Sequence, residues 1–531
     1  MVAHRSAAQS RTQYGLFATP FEELIAVDNP VRVIDAFVNF LDLEKHGFLH
    51  VRTEKTGAPP FHPSVLLKLY FYGYFNRIRS SRRLEAECGR NIELMWLLAG
   101  QKPAYRTIAA FRSDKAHGEA LKAVFRQLVA FCRGEDLIGG EIVAIDGTKI
   151  RAQNSMKRNF NADKLERQVG YNEKKFDEYI AQLDAGDLEP DAADAILEKA
   201  ENALKRLENH KNLQKQLEES GQTQVSLTDP DARALPIHMG IVQVAYNAQS
   251  VVDDRQKLIV HLEMTNEKDT NALAALARTT AEILENSSFT VLADKGYHQG
   301  KMLHECHEMG LTTCVAPLEY APAAAAKEEP KFQKEDFVFD EKTDTYACPA
   351  GQKLATNGST HERKGPKGEL MYTFQRYSID TATCAKCPLK AKCLSSAHLK
   401  SRHKKHIDRN GFDHAIERNR RFVNDHKELY RRRQALVEHP FGTIKRAWGN
   451  YFTLLKGLPK VSAEFQIVGA TYNLRRLVSI FGANELVLRL NGAFLGFLAP
   501  RRAWAATVAG CFLFFCHAPG RRSVGIFIFV Q

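Results

Sequence analysis

Cysteine is scarce in this chain, ten residues in 531, and too scattered to staple a small secreted scaffold. A reducing compartment, the cytoplasm, is the corresponding expectation. The first twenty residues, MVAHRSAAQSRTQYGLFATP, hold no apolar run of the kind a signal peptide needs. No GxxxxGK[ST] loop occurs anywhere, so ATP use is not indicated. Long apolar runs are missing too, with one exception: Ala503 to Gly520 lacks Asp, Glu, Lys and Arg. That stretch is at the short limit for a membrane span, and Gly, Pro and His interrupt it. It reads as a packed, disordered or non-native extension, and no membrane partner is expected.

What is present suits a large folded protein. At about 150 residues per domain the length allows three to four domains, and a mean hydropathy of −0.34 with 44% hydrophobic residues excludes a disordered chain. Lys and Arg number 74 against 62 Asp and Glu, a net charge of +12. Such an excess favours a polyanionic partner, though charge alone does not separate DNA from RNA or an anionic membrane.

Residues 20–135 carry apolar positions at spacings of three and four, which predicts several short helices. Ser80 and Asn91 are candidate N-caps. Arg77, Arg79, Arg82, Arg83, Arg106 and Arg112 sit at the tips of these helices. They suit a helix-turn-helix-like DNA-binding module, and equally a plain helical bundle with solvated arginines. From Gly139 the texture changes to β-branched runs alternating with helical ones, which predicts a mixed α/β sheet. A charged, Leu-spaced stretch at 161–222 reads as a helical hairpin set between strands. Residues 318–408 are rich in Lys, Pro, Ala and Gly and hold four cysteines. The chain then turns helical and basic again, with 14 Lys and Arg against 6 Asp and Glu from Lys400 to Arg446, a candidate phosphate-tracking surface.

Three carboxylates stand in unusual settings. Asp146 lies inside the apolar run Val143-Ala-Ile-Asp-Gly-Thr-Lys, Asp294 ends the run Val291-Leu-Ala-Asp, and Glu438 sits in Leu436-Val-Glu-His-Pro-Phe-Gly. A carboxylate among core residues is costly to bury without a partner, and a shared divalent cation would serve all three. Each could also be an ordinary strand-end or cap acid. Asp229 and Asp231, in Leu227-Thr-Asp-Pro-Asp-Ala-Arg233, read as turn or cap acids, with site support as the alternative. Cys348, Cys384, Cys387 and Cys393 follow C-x35-C-x2-C-x5-C, a spacing that could close around one structural Zn²⁺ or leave four reduced thiols.

The three acidic runs, with Val437-Glu-His-Pro-Phe-Gly-Thr-Ile-Lys445 as the third, resemble in order and wording the motifs of DDE transposases from bacterial insertion sequences. The likeness extends over roughly residues 20–480, and the cysteine-bearing insertion before the glutamate resembles one subgroup. It implies a helical DNA-binding region at 1–138 and an RNase H-like catalytic region at 139–482. The latter would be interrupted by the hairpin and by a zinc-ribbon-like insertion at 318–408; the likeness stops before residues 483–531, which read from composition as an apolar, poorly ordered tail. It further implies that Asp146, Asp294 and Glu438 hold two Mg²⁺ (or Mn²⁺) ions for strand cleavage at element ends and strand transfer to target DNA. Two such ions can activate the attacking oxygen and neutralise the leaving one. Lys445, about two helical turns beyond Glu438, would touch DNA phosphate. Tyr430 and Arg433 stand one residue further upstream than in a common form of the motif, so Arg431, Arg432 and Arg433 are read as a looser phosphate-binding group. Double-stranded DNA and a second copy of the chain are the implied partners. A nuclease of the same fold without strand transfer, or an inactive DNA-binding regulator, remain as competing functions.

Overall fold

The computed structural model describes residues 20–52, 60–185, 190–238, 241–317, 331–365, 368–394 and 404–498. The chain divides into two compact units, one of residues 132–465 and one pairing the N-terminal part with residues from 466 on.

The unit that holds the N-terminus is helical: α1 (Pro30–Phe40), α2 (Pro63–Phe75), α3 (Ser81–Cys88), α4 (Ile92–Leu97), α5 (Tyr105–Ser113) and most of α6 (His117–Gly134). Several of these helices start where a side chain satisfies the free amides of the first turn. Asn29 accepts from the Val31 amide, Ser80 from Arg83, and Asn91 from Glu93 and Leu94. The middle helix α2 is buried on nearly every side, through Leu67, Leu69, Tyr70 and Phe71. Arg112, expected at a solvated tip, is instead a core residue at 6% exposure. Its guanidinium donates to the Tyr74 hydroxyl at 3.1 Å and to the Arg79 carbonyl, and lies over the Tyr70 ring.

The second unit is built on a six-stranded mixed sheet. Its strands are β1 (Ile142–Arg151), β4 (Arg233–His238), β5 (Ile241–Asp253), β6 (Ile259–Thr265), β7 (Thr290–Ala293) and β8 (Thr312–Val315). The order is β4-β5-β1-β7-β8, with β6 sharing the β4 side of β5. β1, β5 and β6 run antiparallel, while β7 and β8 join β1 in parallel through crossovers that contain α9 (Leu273–Leu284) and α10 (Gly300–Glu308). Parallel pairs need such crossovers, which is why strand and helix alternate here in sequence. Between β1 and β4, the short β2 (Asn159–Asn161) and β3 (Gln224–Ser226) pair at the base of the hairpin formed by α7 (Ala162–Asp184) and α8 (Pro190–Ser220).

The cysteine-bearing segment, within which the sequence pattern marked no strand or helix, is regularly structured. It forms a five-stranded antiparallel sheet, β9 (Val338–Asp340), β10 (Thr345–Ala347), β11 (Lys353–Lys364), β12 (Leu370–Ser378) and β13 (His406–Asn410), in order β13-β12-β11-β10-β9. Two short helices, α11 (Thr381–Ala385) and α12 (Lys390–Cys393), and the turn between them carry three of the cysteines. Its core is only Phe337, Tyr346, Leu354, Tyr377 and Ile407. Most other strand positions face solvent, so the hydrophobic alternation that betrays a strand is weak.

α13 (Asp413–Asp425) and α14 (Lys427–Phe441) return to the main sheet. Leu436 and Val437 of α14 pack on Ala144, Leu292 and Cys314, one residue from each of β1, β7 and β8. The chain then runs through a π-helical turn, Gly442–Ala447, and into α15 (Leu458–Phe481). From Gln466 onward it belongs with the N-terminal helices, whereas the sequence pattern had carried the catalytic region to 482. The reason lies in α16 (Ala483–Leu498), which packs against α1. Residues 483–498 are thus helical rather than an unpatterned tail, and the apolar stretch beyond lies outside the described residues. No helix among the described residues is long and apolar enough to cross a membrane.

Candidate active site

The parallel register of β1 and β7 pairs Ala144 with Leu292. Two residues further along each strand stand Asp146 and Asp294, at matched positions on neighbouring strands. Both are partly buried. Asp146 is tied to its own strand, its Oδ1 accepting from the Gly147 amide at 2.9 Å. Asp294 opens a 3₁₀ turn, Lys295–Tyr297, as its N-cap, accepting from the Gly296 amide at 2.8 Å. Burial pushes the Asp146 carboxyl up to about 6. Arg433 opposes that rise, and the nearby charges of Asp294 and Asp269 add to it.

Glu438 sits one residue beyond Val437, on the helix packed across these strands. Its side chain is exposed and accepts from Gln434 Nε2 at 2.8 Å. The structure therefore brings Asp146 and Asp294 together, with Glu438 exposed on the helix beside them and bonded to Gln434. Among the described residues, no group of three or more His, Cys, Asp or Glu side chains is arranged to hold a metal ion. The chemistry of the donor set still fits one: two neighbouring carboxylates, one held above its ordinary range by burial, gain from a hard cation what they lose in water.

The basic residues separate. Arg433 lies close enough to Asp146 to lower its pKa, with its guanidinium 5.7 Å from the Tyr430 ring centroid and its Nε buried without a hydrogen-bond partner. Arg432 pairs with Asp254 at 2.8 Å and Arg431 with Glu428, both at the exposed surface. The π-helical turn breaks the regular projection that placed Lys445 on the face of Glu438. Instead the Lys445 ammonium donates to Thr148 Oγ1 at 2.9 Å and to the Lys149 carbonyl at 3.2 Å, on the strand of Asp146. Burial lowers its pKa, and the neighbouring cations Arg446 and Lys149 lower it further.

Sequence patterns missed a group behind the aspartates. Asp269, in the loop after β6, takes hydrogen bonds from Lys149 at 2.8 Å, Asn247 at 2.8 Å and Gln249 at 2.7 Å. Tyr297 donates from its hydroxyl to Gln249 Oε1. Tyr297 was visible in the run Asp294-Lys-Gly-Tyr; Asp269 stands in no recognisable pattern. The Asp229 and Asp231 turn serves a distant partner. Asp229 accepts from Tyr246 Oη at 2.7 Å and from the Gly457 amide at 3.0 Å, and Asp231 from the Leu458 amide at 2.8 Å. The two acids thus cap the start of α15 from more than two hundred residues upstream.

Cys348, Cys384, Cys387 and Cys393 line one small cavity with Phe337, Leu354 and Leu389, all four as free thiols. Burial raises the Cys393 pKa, Lys405 lowers it, and the other three sulfurs raise it again, as neighbours within reach of its charge must. In the helical unit Arg77, Arg82 and Arg83 are exposed and Arg79 is partly buried.

Two family models match the chain. Residues 19–114 match a family described as Transposase domain (DUF772), and residues 347–478 match one described as Transposase DDE domain. No curated protein and no solved structure matches it.

Proposed function

We infer from these matches that the chain is a DDE transposase of an insertion sequence, and on that premise we propose that it cuts DNA at element ends and joins the freed ends to target DNA. One observation carries the catalytic part: Asp146, inside β1, and Asp294, just past the end of β7, stand at matched positions on neighbouring parallel strands, and the helix bearing Glu438 packs on those same strands. Strand order supports an RNase H-like core, with three antiparallel strands, β6, β5 and β1, followed by the parallel β7 and β8.

Asp146, Asp294 and Glu438 would hold Mg²⁺ or Mn²⁺, two ions per site. Bound there, the ions supply charge neutralisation at phosphorus and an activated oxygen nucleophile. The chain's own part is to place the ligands and the phosphate. Asp146 and Asp294 are fixed by backbone amides, whereas Glu438 stays exposed on its helix, free to swing in as the third ligand. Arg433 and Lys445 bring positive charge to the strand of Asp146, where a phosphate oxygen approaching the carboxylates would otherwise be repelled. Arg431 is held only by an exposed ion pair, worth little in water, so exchanging it for DNA phosphate costs little, whereas Arg432 is paired with the partly buried Asp254.

Residues 1–138 would bind double-stranded element ends through Arg77, Arg79, Arg82 and Arg83. The four cysteines would close around one structural zinc, and two copies of the chain would act together in the cytoplasm on the two ends of the element. Incubating the full chain with a duplex carrying the terminal repeats beside its gene, with and without Mg²⁺, tests the activity. Mg²⁺-dependent nicking at the repeat boundary is the expected result. Cleavage that proceeds equally well in chelator would overturn it.

A further inference from the structure

Gln249 lies on β5 directly across from Gly147, at 1% exposure. A buried primary amide needs partners for both ends, and here the two ends reach two different segments. Its Oε1 accepts from the hydroxyl of Tyr297, a fully buried residue that closes the turn opened by Asp294. Its Nε2 donates to Asp269 at 2.7 Å. Asp269 in turn is held by Lys149 and Asn247, so that its carboxylate is fixed by three donors. It presses directly on the strand of Asp146: a Cβ at Gly147 would lie 2.3 Å from Asp269 Oδ1 and 2.7 Å from Gln249 Nε2. A side chain at that position would have to push both of these bonded groups aside.

The result is a continuous tie from the Asp294 turn through Tyr297, Gln249 and Asp269 to the residues flanking Asp146. Two partly buried carboxylates of like charge repel when no cation lies between them. The turn carrying Asp294 is short, and a hydrogen bond to its own Gly296 amide orients the carboxylate without anchoring the turn to β1. Gln249 supplies a tie from that turn to β5. Gln249 and Tyr297 are too buried to meet DNA, so any part they take in the site is exerted through the aspartates.

We propose that Gln249, with Tyr297 and Asp269 on its two sides, is a positioning residue that fixes the Asp294 turn against the Asp146 strand, so that both carboxylates meet the same divalent cation. The proposal rests on the assignment of Asp146 and Asp294 as cation ligands. Outer partners of this kind typically govern roughly 10- to 100-fold in metal affinity.

The test uses the full-length chain and Mn²⁺ alone as probe, its binding followed by loss of the free-ion electron paramagnetic resonance signal. Tyr297→Phe keeps the ring and removes the hydroxyl. Gln249→Glu keeps an acceptor for Tyr297 and sets a carboxylate against Asp269. Each variant should fold, bind Mn²⁺ roughly 10- to 100-fold more weakly, and recover cleavage in part as Mn²⁺ is raised, with affinity for end DNA in Ca²⁺ unchanged. A purely structural role would lower the melting temperature and leave the Mn²⁺ midpoint alone, and that outcome overturns the proposal. If Tyr297→Phe does not fold, Gln249→Glu decides by the same readouts. Loss of fold in both assigns the cluster to stability and likewise overturns it. Asp146→Ala measured alongside separates the two failures. Should it bind Mn²⁺ as tightly as the unmutated chain, the ligand assignment fails. Should it lose Mn²⁺ while Tyr297→Phe keeps it, only the positioning role fails.

Discussion

Arg433, on the helix packed over the sheet, is the cation that most offsets the cost of burying Asp146. The offset is incomplete. Burial, with Asp294 and Asp269 adding repulsion, still leaves the Asp146 carboxyl at about 6, above the value near 4 usual for an unfolded chain.

A pH dependence of stability follows from that difference. The folded protein holds a proton that the unfolded chain has released, so this group's contribution is fully present below about pH 4. It is lost as pH rises through about 6. In chelator, Asp146→Asn should raise the melting temperature at pH 8 and change it little at pH 4. A gain confined to acid pH would show that another group sets the balance.

Alanine at Asp146, Asp294 or Glu438 should each lower end cleavage by roughly 100-fold or more, because charge stabilisation supplies most of such catalysis. The losses should not add, since one missing ligand already disables the site. Glu438 is the sharpest of the three, being the acid that the fold leaves exposed. Cleavage by Glu438→Ala at the unmutated rate would assign the third ligand to another residue.

Metal analysis of the purified chain should find about one zinc, released by chelator with loss of structure around β9–β13. Cys384→Ser combined with Cys387→Ser should abolish it. Zinc retained by that double variant would place the metal elsewhere.

Asp229 is fully buried and takes two donors, the Tyr246 hydroxyl and the Gly457 amide. Asp229→Ala strands both, and leaving buried donors unmet should lower unfolding stability by roughly 2–3 kcal/mol. Urea denaturation measures this directly. An unchanged midpoint would return the residue to site support.

In the helical unit two kinds of arginine should behave oppositely. Alanine at Arg77, Arg82 or Arg83 should weaken end-DNA binding and flatten its salt dependence, by about 0.9 in slope for each phosphate no longer neutralised. Melting should barely change. Arg112→Ala should do the reverse, lowering the melting temperature, since it removes a buried guanidinium that donates to Tyr74 and to the Arg79 carbonyl. A uniform effect across all four would contradict the division by burial.

Local chemistry made much of this molecule legible in its sequence. Ser80 and Asn91 start helices because their side chains reach amides two or three residues on, an interaction that needs no tertiary context. β1 and β7 announce themselves because a strand buried on both faces is apolar throughout, and the one carboxylate in each run stands out for the same reason. Those runs were enough to suggest the resemblance to DDE transposases. Partners brought from far along the chain were not legible. Arg112 looks like any surface arginine until Tyr74 and Tyr70 close around it. Asp229 and Asp231 look like turn acids until the start of α15 arrives to be capped. β9–β13 hide because a sheet solvated over most of its surface has no need of alternating hydrophobics. Asp269 and Gln249, ordinary polar residues in sequence, join the site only when β5 lies beside β1 and the Asp294 turn folds over them. Sequence marked the residues proposed for the chemistry; the sheet register and the helix laid across it decided which of them stand near one another, because hydrogen bonds and charges act over a few ångströms of space and not over positions in a chain.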